Sequence, residues 1–164
     1  DYLRDNIMVF VLILVGMTVL IIYWLQNNAL LGHMKMTDGR HTVLMIIHIF
    51  FLMIFIYSMK LGIELGSSAG TRGFESVAAM LVGFPSAIAY NYGIKNRRLL
   101  SDDVSDEEAK ELGHRILAEP ITAAFTLFFI FSPIFWEASW LAYPLIVKLL
   151  KRRGQKRETR DARS

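Results

Sequence analysis

Long runs of apolar residues, separated by short polar stretches, are the main pattern of this chain. Residues 7–25 and 41–59 form two runs of 19 residues without an Asp, Glu, Lys or Arg. Because about 20 apolar helical residues cross a bilayer core of about 30 Å, each run is long enough to span a membrane. Three weaker runs follow at residues 74–92, 121–136 and 138–150. The pattern predicts an all-α, polytopic helical membrane bundle with five spans in this chain.

The polar stretch at residues 105–119 has a helical pattern of its own. Ser105 begins a capping box, and apolar residues then recur at three- and four-residue intervals. This predicts a cytoplasmic amphipathic helix that ends at Pro120 and leads into the fourth span. We therefore expect a transmembrane domain over residues 1–153 and a basic cytoplasmic tail over residues 154–164.

The overall composition favours a membrane protein over a water-soluble enzyme. Hydrophobic residues make up 54% of the 164 residues and charged residues 20%. A soluble domain of this length has no interior large enough to hide two helices that are apolar on all sides. The chain has no cysteine, which excludes a disulfide framework, a zinc–thiolate site and an iron–sulfur cluster. The net charge of +3 needs no nucleic-acid partner, because membrane topology accounts for the basic residues.

Lys and Arg are unevenly divided between the two sides of the predicted bundle. With five spans, fifteen of the 18 basic residues fall on one side and three on the other. Cytoplasmic loops are enriched in Lys and Arg, so the side with fifteen is expected to be cytoplasmic. This assigns the C-terminal tail to the cytoplasm, a hairpin turn to residues 133–137 and an outward position to Asp1. Since Asp1 is not a methionine, we expect one further helix upstream, which would give six spans.

One ionisable residue, His48, falls near the middle of a predicted span. Ionisable residues at this depth are costly and often functional. His48 is interpreted either as a proton relay, ion relay or gating residue, or as a neutral histidine hydrogen-bonded to a neighbouring helix. We favour the second interpretation. No catalytic motif, phosphate-binding loop or metal-ligand spacing is present, so we expect no enzymatic activity, no cofactor and no bound metal.

Several strings along the chain resemble one family of ion channels. The string Tyr-Trp-Leu-Gln-Asn-Asn at residues 23–28 is followed by Asp38-x-Arg40 and a long apolar helix, and Glu119-Pro120 leads into two short apolar segments. This succession resembles the transmembrane protein 175 potassium channels, which are endosomal or lysosomal in animals and lie in the plasma membrane of bacteria. Each repeat of that family has six helices with cytoplasmic termini. The resemblance maps this chain onto helices two to six.

The hallmark of that family does not occur in these 164 residues. It is an Arg followed by Phe-Ser-Asp in the first helix, which lines the pore with large apolar side chains. The chain also has Asn27-Asn28 where the family commonly has a pair of histidines. No pore-lining residue can therefore be assigned here, and the resemblance implies that the pore helix lies upstream of Asp1.

Two functions from different classes are compatible with these features. The resemblance implies a subunit of a potassium-permeable channel, assembled as a homotetramer in a bacterial or archaeal cell membrane rather than an organelle membrane. The alternative is an accessory subunit of a larger membrane complex, without conduction of its own. A secondary transporter is less well supported, because only Pro85 and His48 resemble the intramembrane features that transporters use. In each case the expected partners are the lipid bilayer and other membrane subunits.

Overall fold

The computed structural model describes residues 7–161, and nearly all of them are helical. The helices are, in chain order, α1 (Ile7–Gly32), α2 (Gly39–Glu64), α3 (Ala69–Ile94), α4 (Asp106–Thr126), α5 (Pro133–Ser139) and α6 (Tyr143–Asp161). The all-α prediction is confirmed for the described residues. The outward position predicted for Asp1 and the end of the basic tail, residues 162–164, lie outside them.

Two of the described helices are long and apolar enough to cross a membrane, judged by length and composition. They are α2 and the stretch Ala69–Arg97, which contains α3 and the 3-10 turn that follows it. The predicted spans 41–59 and 74–92 lie within these two helices. A membrane location agrees with this finding, while a bundle of five spans stays a prediction.

Side-chain caps fix the first turns of α2 and α3. Asp38 Oδ1 accepts a hydrogen bond from the His41 backbone N–H at 2.9 Å, and Ser68 and Thr71 form a reciprocal capping box. Such caps satisfy backbone N–H groups that have no partner inside the helix. The bond from the His41 N–H, followed by one from the Tyr92 hydroxyl, lowers the pKa of the Asp38 carboxyl. The charged carboxylate therefore lies at the positive end of α2.

The central helix of the bundle is α3, which packs along α2 on one side and along α4 on the other. Many of its buried positions carry small residues: Ala78, Ala79, Gly83, Ser86, Ala87 and Ala89. Small residues let two helix backbones approach closely, which is how helices associate in lipid. At Gly83 an added Cβ would lie 2.6 Å from Pro120 Cδ. The ring of Pro120 therefore occupies the space that a side chain at position 83 would need.

The fourth helix, α4, continues through Pro120, where the sequence pattern predicts a helix end. It joins the predicted amphipathic helix 105–119 to the first part of the predicted span 121–136. Proline inside a helix removes one backbone hydrogen bond and is tolerated where neighbouring helices compensate. Here the ring of Pro120 packs into the gap at Gly83. The boundary predicted at Pro120 is therefore wrong, because the interhelical contact stabilises a continuous helix.

The turn after α4 comes earlier than predicted. The helix ends at Thr126, a 3-10 turn covers Leu127–Phe129, and α5 begins at Pro133. Residues 133–137 are therefore helical rather than a hairpin turn, and the predicted span 121–136 is divided between two helices. The reason is local. Pro133 is the first residue of α5, where the fixed φ of proline favours a helix and no backbone N–H donor is needed.

Segments predicted to share the cytoplasmic side meet at one end of the bundle. The loop between α1 and α2 is bonded to the loop between α3 and α4 through the backbone. The Lys35 N–H donates to Leu99 O at 2.9 Å, and the Ser101 N–H donates to His33 O at 2.8 Å. These bonds hold the two basic loops together at one end of the bundle.

The basic C-terminal segment is tied to α4. One helix, α6, contains most of the predicted span 138–150 and continues into the basic tail. Lys151 Nζ lies 2.8 Å from Glu111 Oε1, which also accepts a hydrogen bond from Arg115 at 2.7 Å. These bonds, that from Lys151 first, lower the pKa of Glu111. The part of α6 just before the tail is thereby attached near the beginning of α4, the helix that follows the basic loop.

Replacing Gly83 with Ala is expected to destabilise the bundle, because the new methyl group would lie 2.6 Å from Pro120 Cδ. Overpacking of a close contact costs about 1–3 kcal/mol. The measurement is thermal unfolding of the detergent-solubilised protein, followed by the loss of its helical circular dichroism. A lower melting temperature is the expected result.

The matched control for this change is Gly62→Ala, also inside a helix. There the nearest atom to an added Cβ is Glu75 Oε2 at 3.6 Å, which is an ordinary contact. Because Gly is less favourable than Ala in a helix by about 0.5–1 kcal/mol, Gly62→Ala should leave the melting temperature unchanged or raise it. An equal decrease in melting temperature in the two variants would contradict a special role for the contact between Gly83 and Pro120.

Candidate functional site

His48 lies on the inner face of α2 and is almost completely buried, with 1% of its surface exposed. Its Nδ1 is 2.8 Å from Val82 O of α3. A carbonyl oxygen only accepts hydrogen bonds, so Nδ1 carries the proton and donates it. The opposite ring nitrogen, Nε2, has no hydrogen-bond partner among the described residues. The side chain thus links α2 to α3 and leaves one acceptor unused.

A carboxylate on α4 binds two side chains of α1 and brings that helix against the bundle. The hydroxyl of Tyr23 donates to Glu119 Oε1, and Gln26 Nε2 donates to Glu119 Oε2 at 2.9 Å. The ring of Tyr23 also lies beside that of His48, with 5.8 Å between their centroids. His48, Tyr23, Gln26 and Glu119, together called the central polar cluster, therefore connect α1, α2 and α4.

A second histidine, His41, lies two turns before His48 on the same buried face of α2. It is fully buried, and neither of its ring nitrogens has a hydrogen-bond partner among the described residues. Buried polar atoms without a partner are uncommon in folded proteins. Within the described part of the chain, the two histidines of α2 account for all such side-chain atoms.

A separate group of polar side chains joins α3, α4 and α5 near the other end of the bundle. Ser76 Oγ is 2.6 Å from Thr126 Oγ1 and accepts a hydrogen bond from Trp136 Nε1 at 2.9 Å. Arg72 Nε donates to Ile130 O at 2.7 Å, which fixes the turn before α5. These contacts satisfy the polar atoms within the protein, so they stabilise the helix packing.

The chemistry available to the central polar cluster is hydrogen bonding between helices. Glu119 accepts from both α1 side chains, and His48 donates to a backbone carbonyl. His48 could be singled out from the sequence, but Glu119 was missed because the pattern assigned it to the end of a cytoplasmic helix. The sequence did contain a sign of the role of Glu119. This residue directly precedes Pro120 and an apolar run, which places a carboxylate at the edge of a predicted span.

The bond between Tyr23 and Glu119 can be tested by a double-mutant cycle. The variants are Tyr23→Phe, Glu119→Ala and the double variant, and the measurement is the free energy of unfolding in detergent. Interhelical hydrogen bonds in membrane proteins give coupling energies of about 0.6 kcal/mol, and about 1.7 kcal/mol at most. We expect a coupling energy in this range, because the Tyr23 hydroxyl is bonded to that carboxylate.

A matched cycle uses Tyr57→Phe in place of Tyr23→Phe. Tyr57 is also a tyrosine on a long apolar helix, but 53% of its surface is exposed. No hydrogen bond in the described part of the chain joins the Tyr57 hydroxyl to Glu119, so Tyr57→Phe and Glu119→Ala should be additive. A coupling energy at Tyr57 as large as that at Tyr23 would show a general effect of the changes rather than a specific bond.

Comparison with known proteins provides no relative from which a role could be transferred. The chain matches no family model, no curated protein and no solved structure. The resemblance to transmembrane protein 175 channels therefore depends on the strings quoted from the sequence. What the described residues add is a helical bundle with a central polar cluster and two buried histidines on one face of α2.

Proposed function

We propose that this chain is a multi-pass membrane subunit of a potassium-permeable channel that resembles the transmembrane protein 175 family. In this proposal the described helices form a scaffold, and the pore is lined by the family's first helix. The resemblance at residues 23–28 and at Glu119-Pro120 supports the proposal. The same residues make the contact between α1 and α4, since Gln26 and Tyr23 bind Glu119.

A membrane location is supported mainly by α2, which exposes large apolar side chains and buries polar ones. Its outward residues Ile46, Phe50 and Met53 are 61%, 59% and 69% exposed. Its inward residues include His48 and Ser58, which are 1% and 0% exposed. A helix that exposes large apolar side chains and hides polar ones is stable in apolar surroundings. Lipid or another helix therefore suits the outward face of α2.

The proposed topology has five spans in this chain and places the basic loops and the C-terminal tail in the cytoplasm. The contacts of Lys35 with Leu99, and of Ser101 with His33, support a common side for the two loops. By resemblance, the subunit assembles as a homotetramer in a bacterial or archaeal cell membrane. Potassium is the ion that the resemblance implies.

An accessory subunit without conduction is the second candidate, and one observation favours it. Polar side chains between α3, α4 and α5 bond to one another: Ser76 lies 2.6 Å from Thr126 and 2.9 Å from Trp136 Nε1. Side chains that satisfy one another in this way line no path for a hydrated ion. In this second candidate, the described bundle would hold together a larger membrane complex.

Ion flux from liposomes separates the two candidates. The full-length native protein would be reconstituted into liposomes loaded with potassium or with sodium, and efflux would be compared with protein-free liposomes. We expect potassium efflux above that of the empty liposomes and above that of sodium, because a channel subunit conducts down its ion gradient. An efflux no greater than that of protein-free liposomes, across several lipid compositions and voltages, would contradict the channel and favour the accessory subunit.

In the same assay, His48→Ala tests the role of the buried histidine. Since His48 is buried and donates to Val82 O, we expect the change to lower thermal stability and to leave the flux per folded protein unchanged. Removing one partner of a buried hydrogen bond costs about 1–3 kcal/mol. An altered potassium selectivity or flux in a correctly folded His48→Ala protein would show instead that this residue takes part in conduction.

A further inference from the structure

An open groove of roughly 600 Å³ lies between the beginning of α2 and the end of α3. Its lining residues are Arg40, Tyr92, Lys95, Asn96 and Arg98. Three of the five are cations. The groove therefore concentrates positive charge at one point of the basic end of the bundle.

Two of the three cations have no acidic partner among the described residues. The side chains of Arg40 and Lys95 are exposed and form no hydrogen bond or ion pair with another described residue. Arg98 lies 3.5 Å from Asp38 Oδ2, but that carboxylate also accepts from Tyr92 at 2.5 Å. A ligand with one or two negative charges would therefore complement the groove.

The backbone turn after α3 directs the side chains of Arg97 and Arg98 away from each other. Asn96 and Arg97 both have left-handed backbone angles, with φ of 56° and 54°. Arg97 turns away and bonds to Asp106 at 2.5 Å, whereas Arg98 returns over the Tyr92 ring, 4.8 Å from its centroid. The guanidinium of Arg98 is thereby held at the groove by the turn and by the tyrosine ring.

The groove lies where the two apolar helices begin and end. The first candidate span starts at Gly39 and the second ends at Arg97. The groove therefore lies at the end of both apolar helices. From Arg40, the exposed residues Val43 and Ile47 follow on the same face of α2, at 55% and 37% exposure. This is the depth at which lipid headgroups contact a membrane protein.

A matching apolar face runs along α3. Ile88 and Phe84 lie four and eight residues before Tyr92, and they are 53% and 37% exposed. Because α2 and α3 are antiparallel neighbours, both faces extend from the groove toward the middle of the helices. A ligand with a charged head and apolar chains would thus find cations at the groove and apolar side chains beneath it.

We propose that the groove lined by Arg40, Lys95 and Arg98 binds the phosphate of an anionic phospholipid, whose acyl chains lie along Val43 and Ile88. The phosphate is the chemical group recognised, and the apolar faces select its lipid form over a free phosphate. This site is separate from any general attraction of the basic tail to the membrane, since it uses residues at the ends of α2 and α3.

The test is native mass spectrometry of the full-length protein in detergent, titrated with dioleoyl phosphatidylglycerol or with dioleoyl phosphatidylcholine. We expect the phosphatidylglycerol adduct to form at lower lipid concentration. The variant Arg40→Gln/Lys95→Gln should weaken that adduct by about thirty-fold, because two cations near a lipid headgroup are removed. Both side chains are exposed, so the variant should keep the helical circular dichroism of the parent.

The matched control is Arg152→Gln/Arg153→Gln, which removes the same charge from two exposed residues of α6. We expect it to keep the affinity of the parent protein for phosphatidylglycerol. Equal weakening in the two double variants would overturn the site and show diffuse attraction to the basic end. Equal affinity of the parent for phosphatidylcholine would also overturn it.

Sodium phosphate, added to the phosphatidylglycerol titration, identifies the source of the phosphate. We expect it to leave the lipid adduct intact, because a free ion makes no contact with Val43 or Ile88. Displacement of the lipid by sodium phosphate would overturn the lipid proposal in favour of a site for a soluble phosphate. These outcomes do not depend on potassium flux, so the lipid site and the channel proposal can fail separately.

Discussion

The close contact between Gly83 and Pro120 sets the distance between α3 and α4, and the surrounding contacts depend on it. Along α3 the contacts with α4 recur about every seven residues, at Ser76, Gly83 and Tyr90. Ser76 meets Thr126 before the contact, and the Tyr90 hydroxyl donates to Ala109 O at 3.1 Å beyond it. A wider spacing at the middle would lengthen both hydrogen bonds, so the small size of Gly83 favours both.

Hydrogen bonds and buried side chains near its C-terminal end attach α1. Among the described residues, this helix has few backbone approaches to its neighbours, whereas Tyr23 and Gln26 both bind Glu119. In an apolar environment no water competes for such groups, so a carboxylate with two donors contributes to holding a helix in place. Leu30 adds a buried apolar contact nearer the basic end of the same helix. The bundle thus combines a tightly packed core of α2, α3 and α4 with a helix held by polar contacts and buried side chains.

The sequence was sufficient for features that depend on one segment at a time. The all-α class follows from the apolar runs, and the two candidate spans contain the predicted runs 41–59 and 74–92, because length and composition decide whether a helix can span a bilayer. The continuity of α4 could not be predicted in this way. It depends on a gap at Gly83, which precedes Pro120 by many residues, and no local pattern reveals which glycine a proline will meet. The role of Glu119 was missed for the same reason, since its donors lie on α1.

The separation along the chain between Tyr23 and its partner has a consequence for how the protein is made. The hydroxyl of Tyr23 and the carboxylate of Glu119 are 96 residues apart. At a synthesis rate of about 5–20 residues per second, roughly 5–20 s pass between the emergence of the two residues from the ribosome. During that interval α1 has neither of the acceptor oxygens that later hold Tyr23 and Gln26. This helix is therefore made well before its polar partner, and Tyr23 and Gln26 are without these acceptors until α4 has been synthesised.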